Sequence, residues 1–576
     1  MPELTFMQLK KLARKDSSLL PQYKLAVLGD CATQHLATAI RGYGSYVGLG
    51  LEVFDTDYNQ IDAQTMDPQS ELFLFAPNAV LIHMCAEKLY RAFCDTPTDA
   101  RSRFAEDTCE RIAAIWQRIL SRGQTNILQC NFPLLPDGVF GQYGNKTQDA
   151  FLFQQRKLNY LLMLRCQQIK QATIVDLDAL QAIHGREKFS DPKLYYIAKM
   201  PICVDMLPCV AKSIVDTIQA LRGCVKKCVV VDLDNTLWGG VIGDDGLSGI
   251  QIGELGTGQA FSDFQAWLKE LKNRGILLAV CSKNNEQTAK EPFEKHPEMV
   301  LRLEDFSAFV ANWEDKAGNI RYIQKVLNIG MDSLVFLDDN PFERNLVRGM
   351  IPEITVPELP EDPAMYLQYL RGLGLFETAS YSREDANRTR QYRQQAERTA
   401  FEASFQSYDA YLQGLEMRAV AAPFDEFHYP RIAQLTQRSN QFNLRTVRCT
   451  EADIQSIAAD SSRIGLYFTL KDKFGDHGLI SVVVLDRQAD NSLFISQWLM
   501  SCRVLKRGME EFIINKILQI AGEQGFRLVT GEYLPTAKNA MVKDLYEHLG
   551  FTPVGNNRFQ AEVSRYQPKK TWITEE

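Results

Sequence analysis

The segment that most constrains the fold is a short apolar run that ends in two carboxylates. Residues 229–238 read Val-Val-Val-Asp-Leu-Asp-Asn-Thr-Leu-Trp, which predicts a buried parallel strand with Asp232 and Asp234 at its C-terminal edge. Open α/β sheets bind their ligands at that edge. Two acids about 6–7 Å apart can divide the work, because one attacks or holds a metal while the other moves a proton.

This segment also has two interpretations that involve no catalysis. The first is a buried strand that runs into an acidic turn without any chemistry. The second is a calcium-binding loop, but its twelfth position from Asp232 is Gly243, where a bidentate Glu is required. Chemistry at the acid pair is therefore the favoured interpretation.

Three later segments carry residue types that phosphoryl chemistry at an aspartate needs. A second predicted strand ends at Ser282, whose hydroxyl can hold a phosphate oxygen. Lys316 falls at a predicted helix start, where its charge can offset those of a phosphate and a nucleophile. A third predicted strand ends in the pair Asp338 and Asp339. Singly, these residues have ordinary explanations as a helix cap, a solvated charge and a turn.

In this order, the four segments resemble the signature motifs of the haloacid dehalogenase (HAD) superfamily of phosphotransferases. The resemblance implies that Asp232 is the nucleophile and that Asp234 is the general acid and base. The implied phosphate-binding residues are Thr236, which supports the turn, Ser282 and Lys316. The implied Mg²⁺ ligands are Asp232, the main-chain carbonyl of Asp234, Asp338 and Asp339. Cation and lysine must neutralise the clustered carboxylates before a phosphate can approach in line.

The spacing of these motifs leaves no room for a folded cap domain. HAD enzymes with little cap generally leave the site open to large or protein-borne substrates, or use another domain to close it. Between the first two motifs, the glycine-rich residues 239–246 predict a β-hairpin flap, and residues 259–274 predict an amphipathic helix.

A second candidate site lies in the N-terminal third. Residues 23–36 predict a strand, a Gly-Asp turn and a helix, so Cys31 falls near a helix N-terminus, where the dipole lowers the pKa of a thiol. His35 follows one turn later. The alternative is a buried cysteine with a histidine on the helix face, and the two interpretations are evenly balanced.

The Gly-Asp-Cys turn resembles the Gly-Asp-Ser nucleophile block of SGNH-type hydrolases, with cysteine in place of serine. That resemblance implies Cys31 as nucleophile, Asn131 as oxyanion donor and His184 as base, with Asp178 or Asp191 as its orienting carboxylate. The family's final Asp-x-x-His is not present as such. A cysteine favours storage of an acyl group as a thioester over ester hydrolysis.

The C-terminal third predicts antiparallel strands followed by a helix over residues 535–551, an order that resembles the GNAT acyltransferase fold. Its pyrophosphate loop has Lys506 where that family has glycine, and a side chain there obstructs close backbone approach by coenzyme A. We therefore expect a GNAT-like domain without acetyl transfer. The basic cluster of Arg503, Lys506 and Arg507 either meets the phosphate of a phosphopantetheine arm or is solvated.

Length and charge set the remaining expectations. A chain of 576 residues predicts several domains, and we assign 1–222 to an SGNH-like domain, 223–362 to a HAD-like domain, 363–410 to connecting helices and 411–576 to a GNAT-like domain. The expected fold class is thus multidomain α/β, a HAD Rossmann-like parallel sheet flanked by an SGNH- or flavodoxin-like α/β domain and a GNAT-like α+β domain.

Composition narrows the partners and the compartment. Net charge −7 and a pI of about 5.7 argue against nucleic acid or an anionic membrane as partner. The 13 cysteines occur singly in hydrophobic runs, as in reduced cytosolic proteins. No apolar stretch approaches the roughly 18–20 residues that span a bilayer. The sequence therefore predicts a soluble, cytoplasmic protein.

Together the three parts resemble the FkbH-like proteins of polyketide pathways (HAD subfamily IIIC). The resemblance implies that a phosphorylated glycerate such as 1,3-bisphosphoglycerate is dephosphorylated and that its glyceryl unit passes to the phosphopantetheine thiol of an acyl carrier protein. Two alternatives stay open at this point: a stand-alone phosphatase of a metabolite or phosphoprotein, and a GNAT-type acyltransferase with a vestigial HAD domain.

Overall fold

The structure is a computed structural model that describes residues 4–381, 405, 407–439, 441–501, 504–536 and 538–576. It separates into two compact units, described one at a time below. The first contains the described residues up to Val225 together with Leu370–Tyr381, and the second contains Lys226–Tyr369 and the described residues from Phe405 onward. Residues 382–404, which belong to the span 363–410 assigned to connecting helices, lie outside the described residues.

The first unit is built on a five-stranded parallel sheet in the order β2-β1-β3-β4-β5. Its strands are β1 Gln22–Gly29, β2 Gly50–Asp55, β3 Ala79–His83, β4 Asn126–Cys130 and β5 Ala172–Val175. Its helices are α1 Phe6–Leu12, α2 Gln34–Tyr46, α3 Ile61–Met66, α4 Glu71–Phe75, α5 Ala86–Asp95, α6 Phe104–Leu120, α7 Phe151–Gln168, α8 Leu177–His184, α9 Arg186–Phe189, α10 Pro192–Ala198 and α11 Leu207–Leu221. This strand order is flavodoxin-like, with the topological switch point between β1 and β3.

Hydrophobic clusters cover both faces of that sheet, as the apolar strand sequences require. Cys31 follows β1 and His83 ends β3, so the switch point brings the two residues to the same edge. Asn131 follows β4, one strand farther along.

The second unit begins with a four-stranded parallel sheet in the order β8-β7-β6-β9. The strands are β6 Cys228–Val231, β7 Leu277–Ser282, β8 Ala308–Ala311 and β9 Leu334–Leu337. The helices are α12 Ile242–Gly249, α13 Gly256–Asn273, α14 Glu286–Lys295, α15 Lys316–Leu327, α16 Pro341–Met350 and α17 Tyr366–Gly372, whose last residues belong to the first unit. The strand order reverses between β6 and β9, which places a binding crevice at their carboxyl ends.

The glycine-rich stretch after β6 differs from its prediction. In place of a β-hairpin flap, a single antiparallel bridge joins Gly239 to Gln251, and the intervening residues form α12. Gly246 interrupts that helix with a φ of +67°, a conformation that glycine adopts at no steric cost. The predicted amphipathic helix over 259–274 is confirmed as α13.

The remainder of the second unit is an eight-stranded mixed sheet in the order β15-β16-β14-β13-β12-β11-β10-β17. Its strands are β10 Arg418–Pro423, β11 Arg463–Asp472, β12 Gly475–Arg487, β13 Ser492–Met500, β14 Leu528–Glu532, β15 Thr552–Gly555, β16 Arg558–Glu562 and β17 Thr574–Glu575. Its helices are α18 Tyr408–Gly414, α19 Tyr429–Arg438, α20 Glu451–Ala459, α21 Met509–Glu523 and α22 Leu545–His548. Antiparallel pairing gives way to a parallel β13–β14 pair joined through α21, so the predicted multidomain α/β class with an α+β C-terminal part is confirmed.

The long helix predicted over residues 535–551 is wrong. The described residues of that span form a 3₁₀ turn at Ala540–Val542 and the short α22 instead of one long helix. The Asn539 side chain accepts from the Thr536 N–H and donates to the Leu534 carbonyl, bonds that compete with helix formation.

The structure also bears on the expected absence of membrane-spanning segments and on the state of the cysteines. Across the described residues, no helix combines the length and the apolar character needed to cross a bilayer. The cysteines of the described part form no disulfide with one another, and the expected reduced state stays a prediction.

One close contact in the mixed sheet yields a stability prediction. Gly531 of β14 packs against Tyr546, and a Cβ added there would lie 2.2 Å from the ring carbon Cζ. We expect Gly531→Ala to destabilise this unit by about 1–3 kcal/mol because the buried ring has to move. Urea unfolding would measure the change. Gly522→Ala in α21 is the control, since its Cβ would lie 3.5 Å from the nearest atom, and any loss of stability there would point to a general intolerance of glycine replacement.

Candidate active site

Three of the predicted residues meet at the carboxyl edge of the four-stranded parallel sheet. Asp232 directly follows β6, Asp338 directly follows β9, and Ser282 is the last residue of β7. Because β6 pairs in parallel with both β7 and β9, these residues share one edge. All three are buried.

Lys316 is the charge at the centre of this edge. It begins α15, which Asp315 caps through the Gly318 N–H, so the helix start fixes its position. Its Nζ lies 2.9 Å from Asp232 Oδ2 and 2.6 Å from Asp338 Oδ2. Burial by itself disfavours the lysine charge, but the two carboxylates outweigh burial and raise the pKa of Lys316.

The carboxylates of Asp232, Asp338 and Asp339 are the residues that fit a divalent cation. One oxygen from each lies within 4.8 Å of the others. Asp232 Oδ1 is buried and has no hydrogen-bond partner among the described residues. Burial, reinforced by the Asp232 charge, raises the pKa of Asp338 to about 6. The single positive charge of Lys316 does not neutralise three carboxylates. A carboxylate oxygen that has no other partner is the type of ligand that Mg²⁺ prefers.

Asp234 occupies a different environment, on the turn that follows β6. Its Oδ1 accepts hydrogen bonds from Trp238 Nε1 and the Ile242 N–H, each at 3.0 Å. Its Oδ2 accepts from Asn284 Nδ2 at 2.7 Å. Burial nevertheless raises the pKa of Asp234, against the effect of these donors. A carboxyl with a raised pKa close to a second carboxylate is the arrangement that lets one acid donate a proton while the other attacks.

Thr236 ties the two acidic strand ends together. Its hydroxyl donates to Asp339 Oδ1 at 3.2 Å and accepts from the Asp339 N–H at 3.0 Å. Arg344 lies beneath the same loop and donates to the main-chain carbonyls of Asp338 and Asp339. Thr236 therefore supports the turn, as predicted, while its predicted phosphate contact stays a prediction.

Sequence reasoning missed several residues that hold these acids in place. Asn284 and Trp238 orient Asp234, and Arg344 orients the Asp338–Asp339 loop. Asn284 carried a usable signal, since it comes two residues after Ser282 on the same strand end. The sequence gives no indication of the role of Arg344, because its partners are the main-chain carbonyls of Asp338 and Asp339, which only the folded loop brings together.

The Asn284 contact gives a kinetic prediction. We expect Asn284→Ala to lower kcat about tenfold, because the Asp234 carboxyl loses one of its three donors and its fixed orientation. Steady-state phosphate release with a phosphorylated glycerate would measure the loss. Asn273→Ala at the exposed end of α13 serves as the control, and equal rates for the two variants would show that Asn284 does not position the acid.

The N-terminal candidate departs from its prediction. Cys31 is 2% exposed, and its thiol donates to the carbonyl oxygen of His83 at 4.0 Å. Hydrogen bonding with Cys85 and burial raise the pKa of Cys31 well above its ordinary value, so the expected lowering of the pKa is wrong. The cap of α2 is Thr33, which leaves Cys31 two residues before the helix N-terminus. His35 stacks on the Phe6 ring.

The partners assigned to Cys31 are engaged elsewhere. Asn131 donates to Asp176 and accepts from the Asp178 N–H, so its amide links the end of β4 to α8. The carboxylates of Asp178 and Asp191 each accept from a backbone N–H instead of orienting a histidine. His184, the last residue of α8, does not line the cavity that borders Cys85. The structure thus gives Cys31 a different histidine neighbour, His83.

The basic cluster of the C-terminal part, Arg503, Lys506 and Arg507, also differs from its prediction. Arg503 lies outside the described residues. Arg507 is 4% exposed, and its Nη1 lies 3.4 Å from Asp472 Oδ2 and 3.1 Å from His477 Nε2. It is therefore neither solvated nor directed at a ligand phosphate, contrary to both predictions for it. Lys506 adopts a φ of +62°, where glycine is favoured.

Comparisons with known proteins agree with this geometry. The family model described as "FkbH, N-terminal domain" matches residues 24–219. The N-terminal part of the protein BF1531 from Bacteroides fragilis, described as containing a phosphatase domain complexed with Mg, is 47% identical, with a TM-score of 0.63. The match covers 66% of this chain and 100% of that chain. No match was found among curated proteins.

Acetyltransferases match a shorter part of the chain. The spermidine N-acetyltransferase of Vibrio cholerae, solved with CoA and spermine, is 15% identical over 26% of this chain and 98% of its own, with a TM-score of 0.22. The ribosomal-protein-S18-alanine N-acetyltransferase of Escherichia coli is 13% identical over 26% of this chain and 96% of its own, with a TM-score of 0.20.

The parallel sheet, its four motif segments and the acid cluster at its switch point define a HAD-type phosphatase. Two findings identify the family: the model of the FkbH N-terminal domain matches residues 24–219, and a relative that is 47% identical is matched over its whole length. This chain belongs to the FkbH family.

Proposed function

We propose that this protein is a Mg²⁺-dependent enzyme that dephosphorylates a phosphorylated glycerate such as 1,3-bisphosphoglycerate and passes the glyceryl unit to an acyl carrier protein in polyketide biosynthesis. The observation that carries the proposal is the buried Asp232 Oδ1, which no described residue pairs, beside Lys316 and Asp338 at the switch point. Membership of the FkbH family supports the substrate and the carrier.

The residues divide the phosphoryl chemistry between them. Asp232, Asp338 and Asp339 would hold Mg²⁺, which when bound would neutralise part of their charge and polarise a phosphoryl group. A carboxylate oxygen of Asp232 attacks phosphorus, the bond from phosphorus to the leaving oxygen breaks, and that oxygen takes a proton from Asp234. Water then cleaves the aspartyl phosphate, with Asp234 as the base that accepts its proton. Lys316 holds Asp232 in place through Oδ2.

The acyl end of the substrate follows a separate route. The C1 carbonyl of 1,3-bisphosphoglycerate is an activated acyl phosphate, and Cys31 is the proposed relay thiol. Its sulfur attacks that carbonyl, inorganic phosphate leaves with the thiol proton, and a glyceryl thioester remains. The phosphopantetheine thiol of the carrier then displaces Cys31, which recovers a proton. Sites on one chain gain from high effective concentration.

A second candidate function is a stand-alone phosphatase. The observation that favours it is the environment of Cys31, whose raised pKa and burial oppose the thiolate needed for attack. In that case phosphate release requires the Asp232 site and neither a cysteine nor a carrier.

Intact-protein mass spectrometry separates these two functions. Wild type, Asp232→Asn and Cys31→Ala would be incubated with Mg²⁺ and 1,3-bisphosphoglycerate, with and without a holo acyl carrier protein. Cys130→Ala is the matched control, because Cys130 is likewise a fully buried thiol at a strand end of the same sheet. We expect a glyceryl adduct on wild type and Cys130→Ala that moves to the carrier.

Each outcome distinguishes between glyceryl transfer through Cys31, glyceryl transfer without Cys31, and a phosphatase. An adduct lost in Cys31→Ala but kept in Cys130→Ala supports the relay. Carrier loading that survives Cys31→Ala keeps glyceryl transfer and removes the relay. In Asp232→Asn we expect any transferred acyl unit to keep its phosphate ester and so to be about 80 Da heavier. Phosphate release with no adduct on either protein would overturn glyceryl transfer and leave the phosphatase.

A further inference from the structure

Three side chains with metal-binding atoms meet at the switch point of the first unit: Asp30, Cys31 and Cys85. One oxygen of Asp30 and the two sulfur atoms lie within 4.8 Å of one another. Both cysteines are 2% exposed, and Asp30 is partly exposed, so a small ion can reach the cluster from its side. The cluster contains none of the carboxylates of the candidate active site.

The pairing of β1 with β3 produces this convergence. Gly29 of β1 pairs with His83 of β3, so Cys31 and Cys85 both stand two residues beyond the same pair. The Asp30 N–H donates to the His83 carbonyl at 3.3 Å, and Asp30 Oδ1 accepts from the Cys85 N–H at 2.9 Å. These bonds hold the turns after the two strands side by side. Because the three side chains are short, backbone pairing alone fixes where their donor atoms lie.

The donor atoms select one class of cation. Two thiolates are soft ligands that suit Zn²⁺ and suit Mg²⁺ or Ca²⁺ poorly. Three protein ligands leave the fourth position of a tetrahedral zinc site for water. Glu87 lies two residues after Cys85 and lines the same crevice, and its Oε2 is buried without a hydrogen-bond partner among the described residues. A water bound to the cation supplies the donor that this oxygen lacks.

The charges around the cluster are compatible with a bound cation. A Zn²⁺ ion with two thiolates and one carboxylate leaves one net negative charge. Lys88 acts electrostatically on Asp30, and Arg186 acts on Glu87, so two positive side chains lie near enough to offset that charge. Each thiol releases its proton to solvent as its sulfur–metal bond forms, and nothing is oxidised or reduced.

We propose that Asp30, Cys31 and Cys85 form a binding site for Zn²⁺, with a water as the fourth ligand and Glu87 as the acceptor of a hydrogen bond from that water. The site goes beyond the proposed function and does not require it. Where the proposed function holds, the site adds a means of regulation, because a Cys31 sulfur bound to Zn²⁺ is withdrawn from the acyl relay.

Cobalt absorption tests the site without any substrate. Reduced, full-length wild type in excess Mg²⁺, which occupies the carboxylate site of the second unit, would be titrated with Co²⁺. We expect about one equivalent of Co²⁺ to give a thiolate-to-cobalt charge-transfer band together with the intense visible bands of tetrahedral cobalt. Cobalt held by carboxylates alone gives no thiolate band. An equivalent amount of Zn²⁺ should then abolish the bands, because Zn²⁺ binds such ligands more tightly than Co²⁺.

Variants of the cluster locate the bound cobalt. Cys31→Ala and Cys85→Ala are each expected to remove most of the charge-transfer band, because each deletes one of the two sulfur ligands. Asp30→Asn should keep both sulfur ligands and weaken Co²⁺ binding by at least about tenfold, the loss seen even when a residue that only orients a ligand is replaced. Cys130→Ala is the matched control, because Cys130 is a fully buried thiol that ends β4 of the same sheet and lies outside the cluster. Circular dichroism would establish that each variant is folded.

Three results would overturn the site: no thiolate band in wild type, a band that survives both Cys31→Ala and Cys85→Ala, or a band that Cys130→Ala removes as completely. Failure of the proposed function has a different signature. If zinc-free wild type forms no glyceryl adduct, the relay is removed and the cobalt bands are unaffected. A glyceryl adduct that forms on Cys31 while Zn²⁺ is bound would overturn the regulatory role.

Discussion

Asp232→Asn is expected to lower the rate of phosphate release by at least about 10³-fold, the scale seen when a covalent nucleophile is removed. The amide has the same shape but cannot form the aspartyl phosphate. The fold should survive, because Lys316 retains its contact with Asp338 and the substitution removes one of several crowded carboxylates. Phosphate release from a phosphorylated glycerate in Mg²⁺ would be measured under single-turnover and steady-state conditions.

Asp263→Asn provides the matched control for this experiment. Asp263 is exposed on α13, so the same chemical change there should leave the rate within about twofold of wild type. An Asp232→Asn protein that keeps more than a tenth of the wild-type rate would show that another group attacks phosphorus. A rate lost together with the circular dichroism spectrum would show a structural role instead.

The HAD site was predictable because its information is local. An apolar run that ends in a carboxylate specifies both the strand and the edge at which the acid lies, and this holds for Asp232 and Asp338 alike, with Asp234 on the turn that follows Asp232. Because the strands pair in parallel, their carboxyl ends lie at the same edge of the sheet, and no further sequence signal is needed to predict this. The predicted helix start at Lys316 is confirmed for the same reason, since Asp315 caps it locally.

The N-terminal site was not predictable because its environment is assembled from distant residues. The sequence around Cys31 indicates a helix start, yet the pKa of its thiol is raised first by hydrogen bonding with Cys85, which lies more than 50 residues away at the start of α5. Burial then reverses the expected direction of the shift. His83 itself stands in an apolar strand, where a histidine usually indicates only packing.

The failed helix after Pro535 has another physical cause. Its apolar spacing is helical, but Asn539 binds local backbone groups and leaves only a 3₁₀ turn before Tyr546. Periodicity measures which side chains are buried together, and this segment buries Tyr546 from the short helix α22 instead of from one long helix.

Lys316→Met is expected to destabilise the second unit by about 3–5 kcal/mol in the absence of divalent cations. The substitution keeps the length and apolar stem of the side chain but leaves Asp232 and Asp338 buried with like charges and no counterion. Urea unfolding at pH 7.5 in EDTA would show the loss. Adding Mg²⁺ should recover part of it, because a cation at the three carboxylates replaces some of the missing positive charge.

Two comparisons isolate the charge from the packing. Lys325→Met, exposed near the end of the same helix, is expected to change stability by less than about 1 kcal/mol. The double variant Asp232→Asn with Lys316→Met should be more stable than Lys316→Met alone, because one of the two opposed carboxylates is gone. If Lys316→Met matches wild type in EDTA, the carboxylates are neutralised by protonation, and the lysine is not the counterion that allows this acid cluster to exist in the folded chain.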